Sequence, residues 1–78
     1  VLSVLERRAE AVEAFREAVR LAPQSADFRA GLCKTLAYAG QLTEAFAECR
    51  KAVELEENSL LANTNLILVL QMQNRPAA

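Results

Sequence analysis

The sequence predicts an all-α protein, and three observations support that prediction. Apolar residues make up 53% of the 78 residues and charged residues 24%, which is typical of a globular chain. Glycine and proline, which interrupt helices, occur only twice each. Apolar side chains recur at the three- and four-residue spacing of amphipathic helices, and no segment shows the alternation of a half-buried strand. A chain of this length buries only about 60% of its unfolded surface, so we expect a thin core.

The first predicted helix covers residues 10–22, where the apolar side chains form one stripe. Glutamate and arginine lie between them three residues apart, a spacing that stabilises a helix by a few tenths of a kcal/mol per pair. Pro23 ends this helix because it has no backbone N–H to donate. In front of it, residues 1–5 are expected to be the tail of an earlier helix, with a turn near residues 6–8.

Three further helices are predicted. Residues 26–40 carry the second, and Gly40 follows its last apolar residue, as in a left-handed C-cap. The third helix begins within a few residues of that glycine, so the two are expected to be antiparallel neighbours. Residues 60–73 carry the fourth helix, which residues 74–76 end.

The third helix repeats the first at a distance of 34 residues, and residues 10–23 and 44–57 align without a gap. The alignment pairs Ala11 with Ala45, Ala18 with Ala52, Leu21 with Leu55, Ser25 with Ser59 and Leu32 with Leu66. The two serines each precede a helix, where the hydroxyl accepts from a free backbone N–H as an N-cap. A fixed period of this kind is the signature of a repeat array.

The period predicts antiparallel helical hairpins stacked as an α-solenoid, which is the fold class that we expect. Small side chains at the repeated positions let neighbouring helices approach closely, and a larger side chain there would push the helices apart. The alternative is a four-helix bundle with fortuitous repetition, which would be favoured if the hairpins enclosed one common core.

Several residues form a pattern of small, apolar, aromatic and helix-ending side chains: Ala11, Phe15, Ala18, Pro23, Leu32, Leu36, Gly40, Leu42, Ala45 and Ala52. With its 34-residue period, this pattern resembles the tetratricopeptide repeat family. Cys49 stands where that family has an aromatic residue, Glu57 where it has a proline, and Arg29 where it has a tryptophan. The resemblance implies one domain, 1–78, made of a partial repeat at 1–25, a full repeat at 26–59 and the first helix of a third repeat at 60–74.

The composition argues against catalysis and against nucleic acid. The chain has no histidine for a nucleophile–histidine pair and no glycine-rich phosphate loop. Nine basic and ten acidic residues are scattered, which gives a net charge of −1 without the basic face that nucleic acid requires. The longest apolar run, residues 66–70, is far shorter than the ~20 residues of a membrane helix. We therefore expect no enzyme, cofactor, metal, nucleic acid or membrane insertion.

The two cysteines, Cys33 and Cys49, are too few for a disulfide scaffold and lack the histidines of a zinc site. We expect both to be packed inside the hairpin as small apolar side chains. A disulfide between them is the less favoured alternative, and nothing in the sequence indicates an oxidising compartment. The predicted location is the cytoplasm.

The resemblance implies that the first helix of each unit lines a concave face, which binds a protein or peptide partner. The residues expected on that face are Asp27, Ala30, Lys34, Ala37, Tyr38, Leu61, Thr64, Leu68, Gln71 and Met72. Most of these side chains are uncharged, which suits an apolar groove for a helix or an extended peptide. We expect a protein-interaction module that acts as a scaffold or adaptor.

The last helix offers an alternative function. Apolar residues cover nearly its whole circumference, so it favours burial on both sides. An uncovered apolar patch of that size would be an association site, which makes a homodimer or docks on the rest of a larger protein. Since the chain starts with Val1 and not Met, we expect it to be part of a longer protein or to follow processing.

Overall fold

The structure is a computed structural model that describes residues 3–74, with only the backbone described at Leu5. Its four helices are α1 (Val4–Leu21), α2 (Ala26–Tyr38), α3 (Leu42–Leu55) and α4 (Leu60–Gln73). Residues 3–74 contain no strand, and the prediction of an all-α protein is confirmed. None of these helices has the length and the apolar character that crossing a membrane requires.

Helix α1 starts earlier than predicted, and the expected turn at residues 6–8 is wrong. Ser3 caps the helix, because its hydroxyl accepts from the Glu6 backbone N–H at 3.1 Å. The Glu6 carboxylate accepts in return from the Ser3 backbone N–H at 3.3 Å. This reciprocal capping box satisfies two backbone donors that a helix start leaves free. One continuous helix therefore replaces the predicted helix tail and turn, and the segment before Ser3 lies outside the described residues.

The predicted caps at Ser25, Ser59 and Gly40 are confirmed, and residues 75–76 of the predicted end of α4 lie outside the described residues. The Ser25 hydroxyl accepts from the Phe28 N–H at 3.2 Å, and the Ser59 hydroxyl accepts from the Ala62 N–H at 3.1 Å. Gly40 follows α2 with φ at 87°, a left-handed conformation that favours glycine. The tight turn around it brings α3 back alongside α2.

Helix α2 is central to the packing. It contacts α1, α3 and α4, and α4 also contacts α3. Within residues 3–74, no Cα atom of α1 lies within 8 Å of a Cα atom of α3 or α4. The main core contains Val12, Leu32, Cys33, Leu36, Ala37, Ala45, Cys49 and Val69. This core joins the four helices, with α1 packed on one side of α2 and α4 packed on α2 and α3.

A second core cluster consists of alanines at the junction of α2, α3 and α4. Its members are Ala26, Ala30, Ala52 and Ala62, all buried. Beside them, the Asn65 side chain of α4 is buried and its Nδ2 donates to the Ala30 carbonyl oxygen at 3.0 Å. That hydrogen bond satisfies a buried amide and fixes the position of α4 on α2.

The sequence favoured unbonded cysteines, and that prediction is wrong because Cys33 and Cys49 form a disulfide. The two residues lie at facing positions of α2 and α3 with their Cα atoms 5.3 Å apart, a separation that a disulfide spans. Both side chains are fully buried in the main core, as predicted. The bond therefore joins the two helices of the hairpin at the centre of the fold.

A mostly buried ion pair also joins α2 to α3. Arg29 donates from Nη1 to Glu48 Oε1 at 2.9 Å and from Nε to the Pro23 carbonyl oxygen at 2.9 Å. The side chains of Arg29 and Glu48 are only 15% and 14% exposed. The pair allows a carboxylate to lie at a mostly buried position of α3, because the arginine that it faces neutralises its charge.

An ion pair between Arg16 and Glu44 should make stability depend on pH. The Arg16 guanidinium donates to both carboxylate oxygens, and this hydrogen bonding is the main reason that the pKa of Glu44 is lowered. Because the folded pKa lies below the value of about 4.3 for a free glutamate, the stabilisation is present above that value and is lost as pH falls through the folded pKa. Both side chains are 39% exposed, so the contribution is at most about 1 kcal/mol.

Urea unfolding at a series of pH values between neutral and acid checks this prediction. The Glu44→Gln variant should unfold at lower urea than the wild type at neutral pH, and the gap should close as the carboxyl is protonated. Glu54→Gln is the matched control, because Glu54 is exposed on the same helix and outside the ion pairs of the described residues. An equal gap at every pH would contradict the prediction.

Candidate functional site

The structure brings half of the predicted groove residues together in one cleft between α2 and α4. Lys34 and Tyr38 of α2 face Thr64, Leu68 and Gln71 of α4 across an opening of about 370 Å³. Asn65 and Ile67 also line this α2–α4 cleft, although the sequence analysis did not include them. Its walls are mainly uncharged, and among residues 3–74 Lys34 is the one charged residue that lines it.

The other predicted groove residues lie elsewhere. Ala30 and Ala37 are buried in the two core clusters, so their side chains cannot contact a partner, which corrects their assignment to the groove. Asp27 and Leu61 are exposed in the first turns of α2 and α4, outside the lining of the cleft. Met72 packs against the main core and is half-buried.

A second and larger cleft, between α1 and α2, was missed by the sequence analysis. It encloses about 690 Å³ and is lined by Val4, Arg7, Arg8, Ala11, Phe15, Gly31, Lys34, Thr35 and Tyr38. The Phe15 ring lies directly on Gly31, where an added Cβ would sit 2.4 Å from the ring Cε1 atom. The absence of a side chain at Gly31 therefore lets the aromatic ring form the floor of this α1–α2 cleft.

Lys34 and Tyr38 form a ridge between the two clefts, because both side chains line both openings. The backbone of the ridge is tied to α1, since Arg8 Nη1 donates to the Tyr38 carbonyl oxygen at 3.0 Å. Substitution of a ridge residue would therefore disturb both sites. Thr64 and Ala11, in contrast, each line one cleft alone and can report on the two sites separately.

The two clefts differ in charge. Arg7, Arg8 and Lys34 line the α1–α2 cleft, and no carboxylate of the described chain lies within 4.0 Å of their charged nitrogens. Arg16, Arg20 and Arg29 are instead paired with acidic side chains, and Arg50 lies over the Phe46 ring. The larger cleft therefore combines an apolar floor with a basic rim.

The chemistry available in both clefts is that of binding. Apolar side chains, amides, a hydroxyl, a phenol and cations line them, and these groups recognise a ligand by shape, hydrogen bonds and charge. Among residues 3–74, no group of three His, Cys, Asp or Glu side chains is arranged to hold a metal ion.

No protein-family model, no curated protein and no solved structure matches this chain. The resemblance to the tetratricopeptide repeat therefore stays a prediction from the residues. The division into a partial repeat, a full repeat and a third first helix also stays a prediction.

Proposed function

We propose that this protein is an interaction module of the tetratricopeptide type, which binds a helix or extended peptide of a partner protein. The observation that supports this proposal best is the gathering of Lys34, Tyr38, Thr64, Leu68 and Gln71 in the α2–α4 cleft. These residues were expected on one face from the repeat register, and they come from the two helices that the register places as first helices.

The arrangement of the helices favours an open stack over a closed bundle. In a closed four-helix bundle, the first and last helices are neighbours around one core. Here α1 and α4 pack against α2 and do not approach each other within 8 Å between Cα atoms. A stacked array leaves one side of its first helices open to a partner, as the α2–α4 cleft is.

The composition of the α2–α4 cleft suits a short apolar peptide segment. Ile67 and Leu68 offer apolar contact area, and Gln71 and Thr64 offer hydrogen bonds to a peptide backbone. Its volume of about 370 Å³ falls at the small end of the range for ligand sites, so it would hold a few side chains of a partner. Lys34 at the ridge favours an acidic group at one end of the bound segment.

Selection of peptides from a random display library on the immobilised protein tests this proposal. The selected peptides should bind Thr64→Arg at least about tenfold more weakly than the wild type, a loss of about 1.4 kcal/mol. The arginine fills the α2–α4 cleft without touching the other one. Ala47→Arg, on the exposed face of α3, is the control and should bind normally. Equal binding by all three proteins would place the peptide site elsewhere.

Self-association through α4 is the second candidate function, and the repeat register supports it. Leu66, Ile67 and Leu70 match Leu32, Cys33 and Leu36, which α3 covers almost completely. On α4, Ile67 is 56% exposed and Leu70 is 40% exposed, so the matching face of α4 is open. Burial of this apolar face against a second molecule would be favourable at about 25 cal/mol per Å².

Sedimentation equilibrium over a series of concentrations tests the second candidate. The wild type should form dimers, and the double variant Ile67→Lys/Leu70→Lys should be a monomer at every concentration, because two charges on the open face disfavour its burial. Lys51→Ile places an apolar side chain at an exposed site on α3 and is the control for non-specific hydrophobic association. A monomeric wild type would rule out self-association as the function.

The predicted cytoplasmic location has no support in the structure and stays a prediction. The Cys33–Cys49 disulfide favours the opposite choice, because disulfides persist in oxidising compartments and are rare in the cytosol. Thiol labelling of the protein as it is isolated from cells, before and after reduction, would distinguish the cytosol from an oxidising compartment.

A further inference from the structure

The two ends of the fold can be compared directly, because the chain repeats with a period of 34 residues. The walls of the α1–α2 cleft match, residue by residue, a surface formed by α3 and α4. Ala11 and Phe15 of α1 match Ala45 and Cys49 of α3, and Gly31 and Thr35 of α2 match Asn65 and Val69 of α4. What packs on the surface of α3 and α4 therefore indicates what kind of element would pack on the α1–α2 cleft.

Helix α2 lies on that second surface. Ala45, Cys49 and Val69 are fully buried in the core that contains Leu32, Cys33 and Leu36 of α2. The Asn65 side chain is also buried, with its amide bonded to a carbonyl of α2. In the α1–α2 cleft, all four matching residues are only partly buried. Among residues 3–74, no helix covers the α1–α2 cleft in the way that α2 covers the matching surface, and this match favours a helix as the occupant of the cleft.

The rim of the cleft shows how this occupant must differ from α2. Arg7, Arg8 and Lys34 stand where the covered surface has Gln41, Leu42 and Leu68. Covering three cations that have no carboxylate partner among the described residues would be costly, because a desolvated charge must be paired. Carboxylates on the flank of the incoming helix would pair them and would also speed its association.

We propose that the α1–α2 cleft is a docking site for an amphipathic helix that has the small and apolar packing residues of α2 and carries acidic side chains along its flanks. Helix α4 of a second copy fits this description less well, because Leu60–Gln73 contains no acidic residue and would leave the basic rim unpaired. The site shares only Lys34 and Tyr38 with the α2–α4 cleft, and its proposed occupant does not depend on the function proposed above.

A pair of synthetic peptides tests the proposal. Both have the length of α2, 13 residues, and its apolar positions, with alanine in place of cysteine and a side-chain staple that keeps them helical. One carries glutamate at the flanking positions and the other carries lysine. In fluorescence anisotropy, the glutamate peptide should bind the intact protein at least about tenfold more tightly. Added salt should narrow this difference, since salt screens exposed charges.

Variants of the protein locate the binding. Ala11→Arg places a long cation on the floor of the cleft and should abolish binding of the glutamate peptide. Arg7→Glu changes an exposed site and leaves the core intact. It should weaken binding of the glutamate peptide and strengthen binding of the lysine peptide. Thr64→Arg changes only the α2–α4 cleft and should bind the glutamate peptide normally. Circular dichroism on each variant checks that it is folded. If Ala11→Arg does not fold, the result with Arg7→Glu decides the test.

Several outcomes would overturn the proposal. They are equal binding of the two peptides, binding that survives Ala11→Arg, and failure of both peptides to bind. Concentration-dependent assembly of the protein that Ala11→Arg abolishes would instead assign the cleft to α4 of a second copy. Loss of the library-selected peptides with Thr64→Arg tests the other cleft, so the two proposals fail independently.

Discussion

Reduction of the Cys33–Cys49 disulfide is expected to lower the free energy of unfolding by about 3 kcal/mol. The bond closes a loop with a sequence separation of 16. Closing a loop of that size lowers the conformational entropy of the unfolded chain, which stabilises the folded state by about 3 kcal/mol. A domain of this size has only about 5–15 kcal/mol of stability in total, so the bond supplies a large part of it. It also holds α2 against α3, the hairpin on which the other two helices pack.

Urea unfolding with and without a reductant measures this effect. Both sulfurs are fully buried, so the protein should be reduced in denaturant and refolded with the reductant present. The control is the double variant Cys33→Ala/Cys49→Ala, which should unfold at low urea in both conditions. Its side chains keep the site small and apolar, so the comparison isolates the bond. A wild-type midpoint that does not change after complete reduction, as checked by thiol counting, would contradict the prediction.

The helices could be predicted from the sequence where local signals specify them. Ser25, Ser59 and Gly40 act within one turn of their own positions, so their capping roles follow from the residue types alone. The start of α1 has a similar local signal, the serine and glutamate of a capping box at Ser3 and Glu6, which was overlooked because the preceding residues also suit a helix.

The contacts between helices could not be predicted in the same way. Ala30, Lys34 and Ala37 share one stripe of α2, but only the position of α4 determines which of them stays accessible. That position depends on the hydrogen bond between Asn65 and the Ala30 carbonyl oxygen, which joins residues 35 apart in the sequence. The disulfide had the same difficulty, because the spacing of Cys33 and Cys49 along the chain does not give their separation across the hairpin.

The α1–α2 cleft could have been found from the repeat. Ala11 and Phe15 match Ala45 and Cys49, which are fully buried in the third helix, whereas Ala11 and Phe15 themselves are only partly buried. The basic rim gave a second signal, since Arg7 and Arg8 interrupt the match to Gln41 and Leu42.

Substitution of Ala52 by leucine is expected to destabilise the protein by about 3 kcal/mol. Ala52 is fully buried in the alanine cluster, where small side chains of α2, α3 and α4 meet. Three added carbon atoms have no space there, and overpacking of this kind costs about 1–3 kcal/mol because the helices or the side chains must move. Alanine and leucine have similar helix propensities, so the effect reports packing and not helix formation.

Two matched variants turn this prediction into a test of the repeat itself. Ala47→Leu lies on the exposed face of the same helix and should change the stability by no more than about 0.5 kcal/mol. Ala18→Leu is the equivalent change in α1, where the side chain is only half-buried and lies outside the lining of the α1–α2 cleft. Urea midpoints should therefore fall in the order Ala47→Leu, Ala18→Leu, Ala52→Leu. If Ala18→Leu were as destabilising as Ala52→Leu, Ala18 would be packed as tightly as Ala52, which would contradict the difference in burial between these matched positions of α1 and α3.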